Sequence, residues 1–293
     1  MNGRLTLNDG RTFAWHDWGD PAGRPLLRLQ GTPGSRLSVP PLQQAWRRHR
    51  LRVVMADRPG FGASTRLPGR GIAAVADDYA VLLDHLGVDS AAVLAVSGGG
   101  PHALAFAARH PDRVAALTVV AGVAPLDDHE VEHVVAGNAT SFRLAEQGWD
   151  ALHAFTIRQR DAMLADPVAG FRATMANAPA DDARVMSDPA WQEPHAVGIR
   201  EALRPGAEGW TDEVLAVLSP WDFDLSAVRR HVVWWAGADD ANCPLSAVRR
   251  LVAQLPSADL RVWQQVGHLA QYLRADEFLT DLVERAYGDP VPG

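Results

Sequence analysis

The sequence predicts an α/β fold, a mostly parallel central sheet flanked by helices, on three observations. Short apolar runs of strand length recur along the chain, amphipathic stretches of helix length separate them, and one long central stretch is helix-like throughout. The runs are apolar along their whole length rather than alternating, which is the pattern of strands covered on both faces.

Taken in order, the first runs are PLLRLQ (25–30), LRVVMA (51–56), AAVLAV (91–96) and VAALTVVA (114–121). Between them, Ile72–Leu86 carries apolar residues at three- and four-residue steps, and His102–Arg109 follows Gly100-Pro101, a helix-start signal. From about Pro125 to about Trp221 the chain is rich in Ala, Asp, Met and Trp and offers no convincing strand. This reads as a helical cap or lid over residues 125–222, inserted into a core domain made of 1–124 and 223–293. Alternation resumes with HVVWWA (231–236), the helical SAVRRLVAQL (246–255), DLRVWQ (259–264) and a closing helix over Tyr272–Tyr287. The tail GDPVPG is expected to fray, and no internal repeat is present.

Bulk properties narrow the partners. With 293 residues, 47% of them apolar, the chain can bury the core of one elaborated domain. Its 28 basic and 35 acidic residues give a net charge of −7, without the basic footprint that nucleic acid requires. Cys243 is the only cysteine, which rules out an internal disulfide, and the opening MNGRLTLNDGRTF lacks the apolar h-region of a signal peptide. No run approaches the roughly 18 apolar residues that span a bilayer. The expectation is a soluble, cytoplasmic protein, monomer or homodimer, that acts on a small molecule and partners neither nucleic acid nor membrane.

The segment richest in chemical content is AAVLAV-Ser97-Gly98-Gly99-Gly100-Pro101-His102, an apolar strand that enters a glycine-rich turn and then a helix. It matches a nucleophile elbow, in which a strained strand-to-helix turn presents a serine hydroxyl at the sheet's carboxyl edge. Backbones crowd there, so small residues are needed two before and two after the serine. Here they are Ala95 and Gly99, with alanine in place of the first glycine of G-x-S-x-G. The competing reading, a phosphate-binding loop, lacks both the Walker Gly-Lys-Ser/Thr ending and G-x-G-x-x-G.

From this elbow outward the sequence resembles the α/β-hydrolase family over nearly its whole length. Gln30-Gly31-Thr32-Pro33-Gly34 stands where the family usually has His-Gly-x-Pro-Gly, and the resemblance implies an oxyanion hole made by the amides of Thr32 and Gly98. Gln30, Gly31 and, five residues past Ser97, His102 are candidates to border the substrate, though a packed histidine is the commoner case. Asp57-Arg58-Pro59-Gly60-Phe61-Gly62 looks like the family's D-x-x-G-x-G turn, a structural element with a lesser expectation of substrate contact at Asp57 or Arg58. In Gly237-Ala238-Asp239-Asp240-Ala241-Asn242-Cys243-Pro244, the family spacing G-x-x-D-x-x-x-P selects Asp240 over Asp239 as the acid. His268, in Gly267-His268-Leu269 after the next strand, is chosen by position from 11 histidines. Ser97, Asp240 and His268 then follow the chain order of this fold.

The chemistry assigns the roles. A serine hydroxyl is a weak nucleophile at neutral pH and needs an imidazole to take its proton, which would be His268. An anion behind the imidazole would fix its tautomer and stabilise the imidazolium, the role of Asp240. The expected activity is cofactor-independent cleavage of an ester, lactone or thioester of a small, largely apolar molecule. Alternatives on the same fold are carbon–carbon bond hydrolysis, peptidase action through Glu193 or Glu201, a cyclisation or elimination, and a non-catalytic ligand-binding or receptor protein.

Other signals compete. His129-Glu130-Val131-Glu132-His133 matches the H-E-x-x-H zinc helix, but Ala136 and Ala139 occupy the Gly and His positions of its extended form, and no metal is expected. Trp149, Trp191, Trp210 and Trp221, with Met163, Met175 and Met186, fall in the insertion and serve either its core or an apolar pocket. Arg36, Arg58 and Arg158 could meet an anionic substrate, although solvated arginine is the plainer reading.

Overall fold

Eight strands form one sheet in the computed structural model of the chain, in which residues 1–176 and 178–288 are described. They are β1 (Asn2–Thr6), β2 (Thr12–Gly19), β3 (Arg24–Leu29), β4 (Leu51–Ala56), β5 (Ala91–Val96), β6 (Val114–Val120), β7 (Val232–Gly237) and β8 (Ala258–Trp263). Their order is β1-β2-β4-β3-β5-β6-β7-β8. β1 with β2 and β2 with β4 pair antiparallel, and every other pairing is parallel.

The helices are α1 (Gln43–Arg48), α2 (Ala76–His85), α3 (Gly99–Arg109), α4 (Asp128–Val131), α5 (Ala136–Ala145), α6 (Trp149–Ala165), α7 (Pro167–Thr174), α8 (Ala180–Ser187), α9 (Pro189–Leu203), α10 (Glu208–Leu218), α11 (Leu245–Val252), α12 (Ala270–Leu273) and α13 (Ala275–Tyr287). α4 to α10 lie between β6 and β7, and among the described residues that interval contains no strand.

Alternate residues of the central strands feed two cores. Leu27, Val93, Ala95 and Trp234 pack with Tyr79, Phe106 and Leu251 of α2, α3 and α11. Their neighbours Leu26, Ala92, Leu94 and Trp235 pack with Trp46, Phe278 and Leu282 of α1 and α13. A strand covered on both faces must be apolar at every position, the physical reason the runs carry no alternation.

The observed elements differ from the expected set in several places, and α1 is among those the sequence reading did not name. β1 and β2 had no counterpart in the sequence reading: the edge strand NGRLT carries little apolar signal, and in the interior strand TFAWHDWG His16 and Asp17 break the apolar run. The helix expected over Ile72–Leu86 begins as a 3-10 turn at Ala73–Val75 before α2. α3 starts at Gly99 rather than His102, and the closing helix divides at Arg274, whose φ of −125° and ψ of 24° are not helical. Of the tail, residues 289–293 lie outside the described residues. Among the described residues no helix is long and apolar enough to cross a membrane.

Candidate active site

Ser97 joins β5 to α3 with φ +52°, in the left-handed region that β-carbon-bearing residues rarely occupy. The turn is held by its own backbone. Ser97 N–H donates to Val120 O at 3.2 Å, while its carbonyl accepts from the amides of Gly100 and Val123 at 2.9 and 3.1 Å. Crowding explains the small residues: a Cβ at Gly99 would stand 2.4 Å from the carbonyl oxygen of Leu29. Ala95, wholly buried in register between Leu29 and Val119, shows that a methyl group fits at the other small position.

β7 and β8 deliver the partners. Asp240 is 5% exposed in the turn after β7, whereas Asp239 points to solvent. The Oδ1 of Asp240 accepts from the backbone N–H groups of Asn242 and Cys243, both at 2.8 Å. His268 follows β8, and its Nδ1 lies 2.9 Å from Asp240 Oδ2 and 3.1 Å from Oδ1. A carboxylate can only accept, so Nδ1 carries the proton. That leaves Nε2, 3.0 Å from Ser97 Oγ, as an acceptor for the hydroxyl proton. Burial pulls the His268 pKa down, but the Asp240 charge outweighs it and holds the imidazole well above its ordinary value.

A residue absent from the sequence reading completes this corner. Asp182 of α8 is fully buried, and its carboxylate accepts from the amides of His268 (2.9 Å) and Leu269 (2.8 Å). A Cβ at Gly267 would lie 2.5 Å from Asp182 Oδ2, so the glycine makes room for it. A helix of the insertion thus fixes the backbone that carries the histidine. Nothing local in ADDARVMS distinguishes Asp182 from a first-turn helix acid, and only the three-dimensional contact reveals it.

The loop after β3 meets the elbow. A Cβ at Gly98 would lie 2.4 Å from Thr32 Oγ1 and 3.3 Å from the Thr32 amide nitrogen, so that nitrogen sits beside Gly98. Gly98 is the N-cap residue of α3, at the positive end of the helix dipole. Gly31 lies against the serine, where a Cβ would stand 3.6 Å from Ser97 Oγ. Gln30 turns its amide to Ala56 O at 2.7 Å, bracing the loop against the end of β4.

Arg58 backs this loop from inside, donating to Gln30 O (2.6 Å), Gly31 O (3.0 Å) and Thr32 Oγ1 (2.7 Å). Its guanidinium pairs with Glu213 of α10 at 2.7 Å, and Glu213 also pairs with Arg70 and accepts from Thr32 Oγ1. His102 belongs to the same cluster, 3.1 Å from Glu213 and 3.2 Å from Ile72 O. Only 1% exposed, it lies inside the protein rather than in the cavity wall. Burial raises the Glu213 carboxyl, yet Arg58 and Arg70 reverse this and hold it well below the ordinary carboxylate range. Asp57 accepts from the Arg36 and Ala63 amides, which makes its turn structural.

Ser97, Gly98, His268, Gln30, Gly31 and Thr32 open onto a cavity of about 290 Å3. Its walls include Phe142, Phe155, Phe171, Trp191 and Trp210 from the inserted helices. Met163 and Met175 also line it, whereas Met186 and Trp221 pack in satellite cores and Trp149 stacks on His153. Glu193 is exposed, and Glu201 pairs with Arg36 and Arg204. Neither lines the cavity. Arg36 is also paired with Asp57, and Arg158 is exposed, bonding Ala154 O.

The H-E-x-x-H segment is otherwise engaged. Glu130 pairs with Arg250, accepts from Ser246 and closes a capping box with Asp127, and among the described residues no third ligand joins His129 and His133. Among the described residues, the one group of potential metal ligands whose donor atoms converge, within 4.8 Å, is Asp240, Cys243 and His268. There burial pushes the Cys243 thiol up to about 11, so it stays protonated at neutral pH.

A mostly parallel sheet covered on both faces, with serine, imidazole and carboxylate in line beside a cavity at its edge, has the construction of a hydrolase. The chain belongs to the alpha/beta hydrolase fold family, whose model matches residues 24–275. It is 31% identical over 255 residues to a Caulobacter sp. (strain K31) protein named "Putative carbamate hydrolase RutD", across 85% of this chain and 86% of that one. It is 28% identical over 284 residues to the 2-hydroxymuconate semialdehyde hydrolase of Pseudomonas putida, across 94% and 91%. The fold is shared with the crystal structure of a hydrolase from Pseudomonas aeruginosa PA01, at a TM-score of 0.71 and 22% identity over 98% of both chains.

Proposed function

We propose that the protein is a serine hydrolase that cleaves an ester, lactone or thioester of a small, largely apolar molecule through an acyl-enzyme on Ser97. The observation that carries this reading is the hydrogen-bonded line from Ser97 Oγ through His268 to Asp240, at 3.0 and 2.9 Å, opening on an aromatic-walled cavity. Ser97 Oγ attacks the carbonyl carbon as its proton passes to His268 Nε2. Asp240 stabilises the imidazolium. The carbonyl oxygen, now an anion, is met by the amides of Thr32 and Gly98, donors of a kind worth about 10²–10³ in rate each. His268 returns the proton to the leaving alcohol or thiol, and a water activated by the same imidazole hydrolyses the acyl-enzyme. Residues 125–222 act as the cap, and their aromatic and methionine side chains set which substrate fits.

Carbon–carbon bond hydrolysis is the second reading, favoured by the likeness to the Pseudomonas putida semialdehyde hydrolase over 94% of the chain. A panel of short-chain 4-nitrophenyl esters, with Ser97→Ala as control, tests the first. Turnover by the native protein and a loss of at least about 10⁴-fold in the variant is expected. A fluorophosphonate should label Ser97, and His268→Ala should abolish labelling. Equal slow turnover by both proteins sinks the hydrolase reading, while inert esters beside a cleaved 1,5-diketone favour the second.

A further inference from the structure

Among the described residues three arginines are buried, and they are not equivalent. Arg58 and Arg70 share the carboxylate of Glu213. Arg28 of β3, only 3% exposed, faces no carboxylate among the described residues. Its guanidinium donates to the neutral amide of Gln271 at 3.2 Å and makes long contacts to Ser38 O (3.4 Å) and Met55 Sδ (3.9 Å). A buried cation without a counter-charge is costly to desolvate, and a leucine in this strand would carry no such cost. Burial draws the Arg28 pKa down only to about 10, so it keeps its charge at neutral pH.

Arg28 lines the same cavity as Ser97 and His268, together with Gln271 and Tyr272. It lies two residues before Gln30 on β3, about 7 Å at the strand's rise per residue. Gln271 is three residues past His268, at the start of α12. The cation therefore stands in the wall next to the histidine, within reach of a group a few bonds from a carbonyl held at Ser97.

Resting on the serine-hydrolase reading above, we propose that Arg28 is the recognition group for a carboxylate on the substrate, which is thus an apolar ester or lactone bearing one acid group. One guanidinium balances one charge and pairs with a carboxylate through two parallel N–H donors, whereas a phosphate dianion would leave a buried negative charge. The protein's net charge of −7 repels anions at long range, so any preference for them must arise locally.

The test compares charged and neutral esters of matched shape. Mono-4-nitrophenyl glutarate is set against 4-nitrophenyl butyrate for an acid on the acyl side, and 4-carboxyphenyl butyrate against phenyl butyrate for the alcohol side. In at least one pair the charged ester should have a kcat/KM about 10- to 100-fold higher, as expected of a hydrogen bond to a charged group. Because a buried pair is poorly screened, the preference should persist in 0.5 M salt. Arg28→Met, which removes the charge, and Gln271→Glu, which places a rival carboxylate on an intact Arg28, should each cut that ratio at least tenfold. Should neutral esters be turned over as well as or better than charged ones in both pairs, the proposal is wrong and the hydrolase reading stands. If no ester is cleaved, the hydrolase reading falls, and calorimetric titration with monoethyl glutarate decides the site: binding that Arg28→Met loses supports it, and no binding overturns it.

Discussion

At the residue scale, Ser97 is held in a backbone conformation that residues with a β-carbon rarely adopt, and Asp240 holds the His268 pKa above its ordinary value. Only a neutral imidazole can take the serine proton, so kcat/KM should climb as pH rises through the His268 pKa, which Asp240 holds above the ordinary value. Asp240→Asn removes the largest influence that raises the His268 pKa, while burial continues to lower it. The ascending limb of the pH–rate profile should then move to lower pH while the plateau falls by on the order of 10³–10⁴-fold. An unmoved limb would mean that Asp240 does not face the titrating group. Much at this scale was legible in the sequence. Chain spacing singled out Asp240 over Asp239 and His268 over ten other histidines, because each residue must follow a particular strand. Arg28 was not legible: in PLLRLQ it passes for one polar interruption of a buried strand, and only the cavity shows what it faces.

At the element scale, α10 matters through one side chain. Glu213 joins the β3 loop to the Arg58 turn and to Arg70, in a cluster from which solvent is excluded. Glu213→Gln would leave two buried guanidinium groups without their counter-charge and should destabilise the fold by about 3–5 kcal/mol, read as a lower denaturant midpoint at unchanged m. The folded-state pKa lies below the unfolded one, so this stabilisation is complete above the ordinary carboxylate value and fades as pH falls below it. The gap between native protein and variant should therefore narrow in acid, and a constant gap from neutral to low pH would contradict the ion-pair account. The strands and flanking helices were readable because buried β and amphipathic α periods differ. The β1–β2 hairpin was not, since the edge strand β1 has a solvated side and His16 and Asp17 interrupt the apolar residues of β2.

At the scale of the whole molecule, the inserted helices are tied to the sheet by polar clamps at well-separated points. Asp182 holds the His268 and Leu269 amides, Glu201 pairs with Arg36, Asp212 with Arg66, and Glu213 with Arg58 and Arg70. Helices so joined cannot melt without breaking buried pairs, so calorimetry should show one transition whose van't Hoff and calorimetric enthalpies agree. A separate low-temperature transition would show that the insertion unfolds by itself. The fold class, the lack of a strand among the described residues of the insertion, and the selection of Ser97, Asp240 and His268, which the structure brings into hydrogen-bonding distance, were readable from the chain alone. These depend on period and spacing, which are properties of the chain taken locally. Tertiary contacts alone reveal which insertion side chains reach the cavity, that Asp182 holds the His268 amide, and that Arg28 faces no carboxylate among the described residues. Those are relations between residues distant in the chain, such as 243 positions apart for Arg28 and Gln271, where burial and the presence or absence of an opposite charge set the energy.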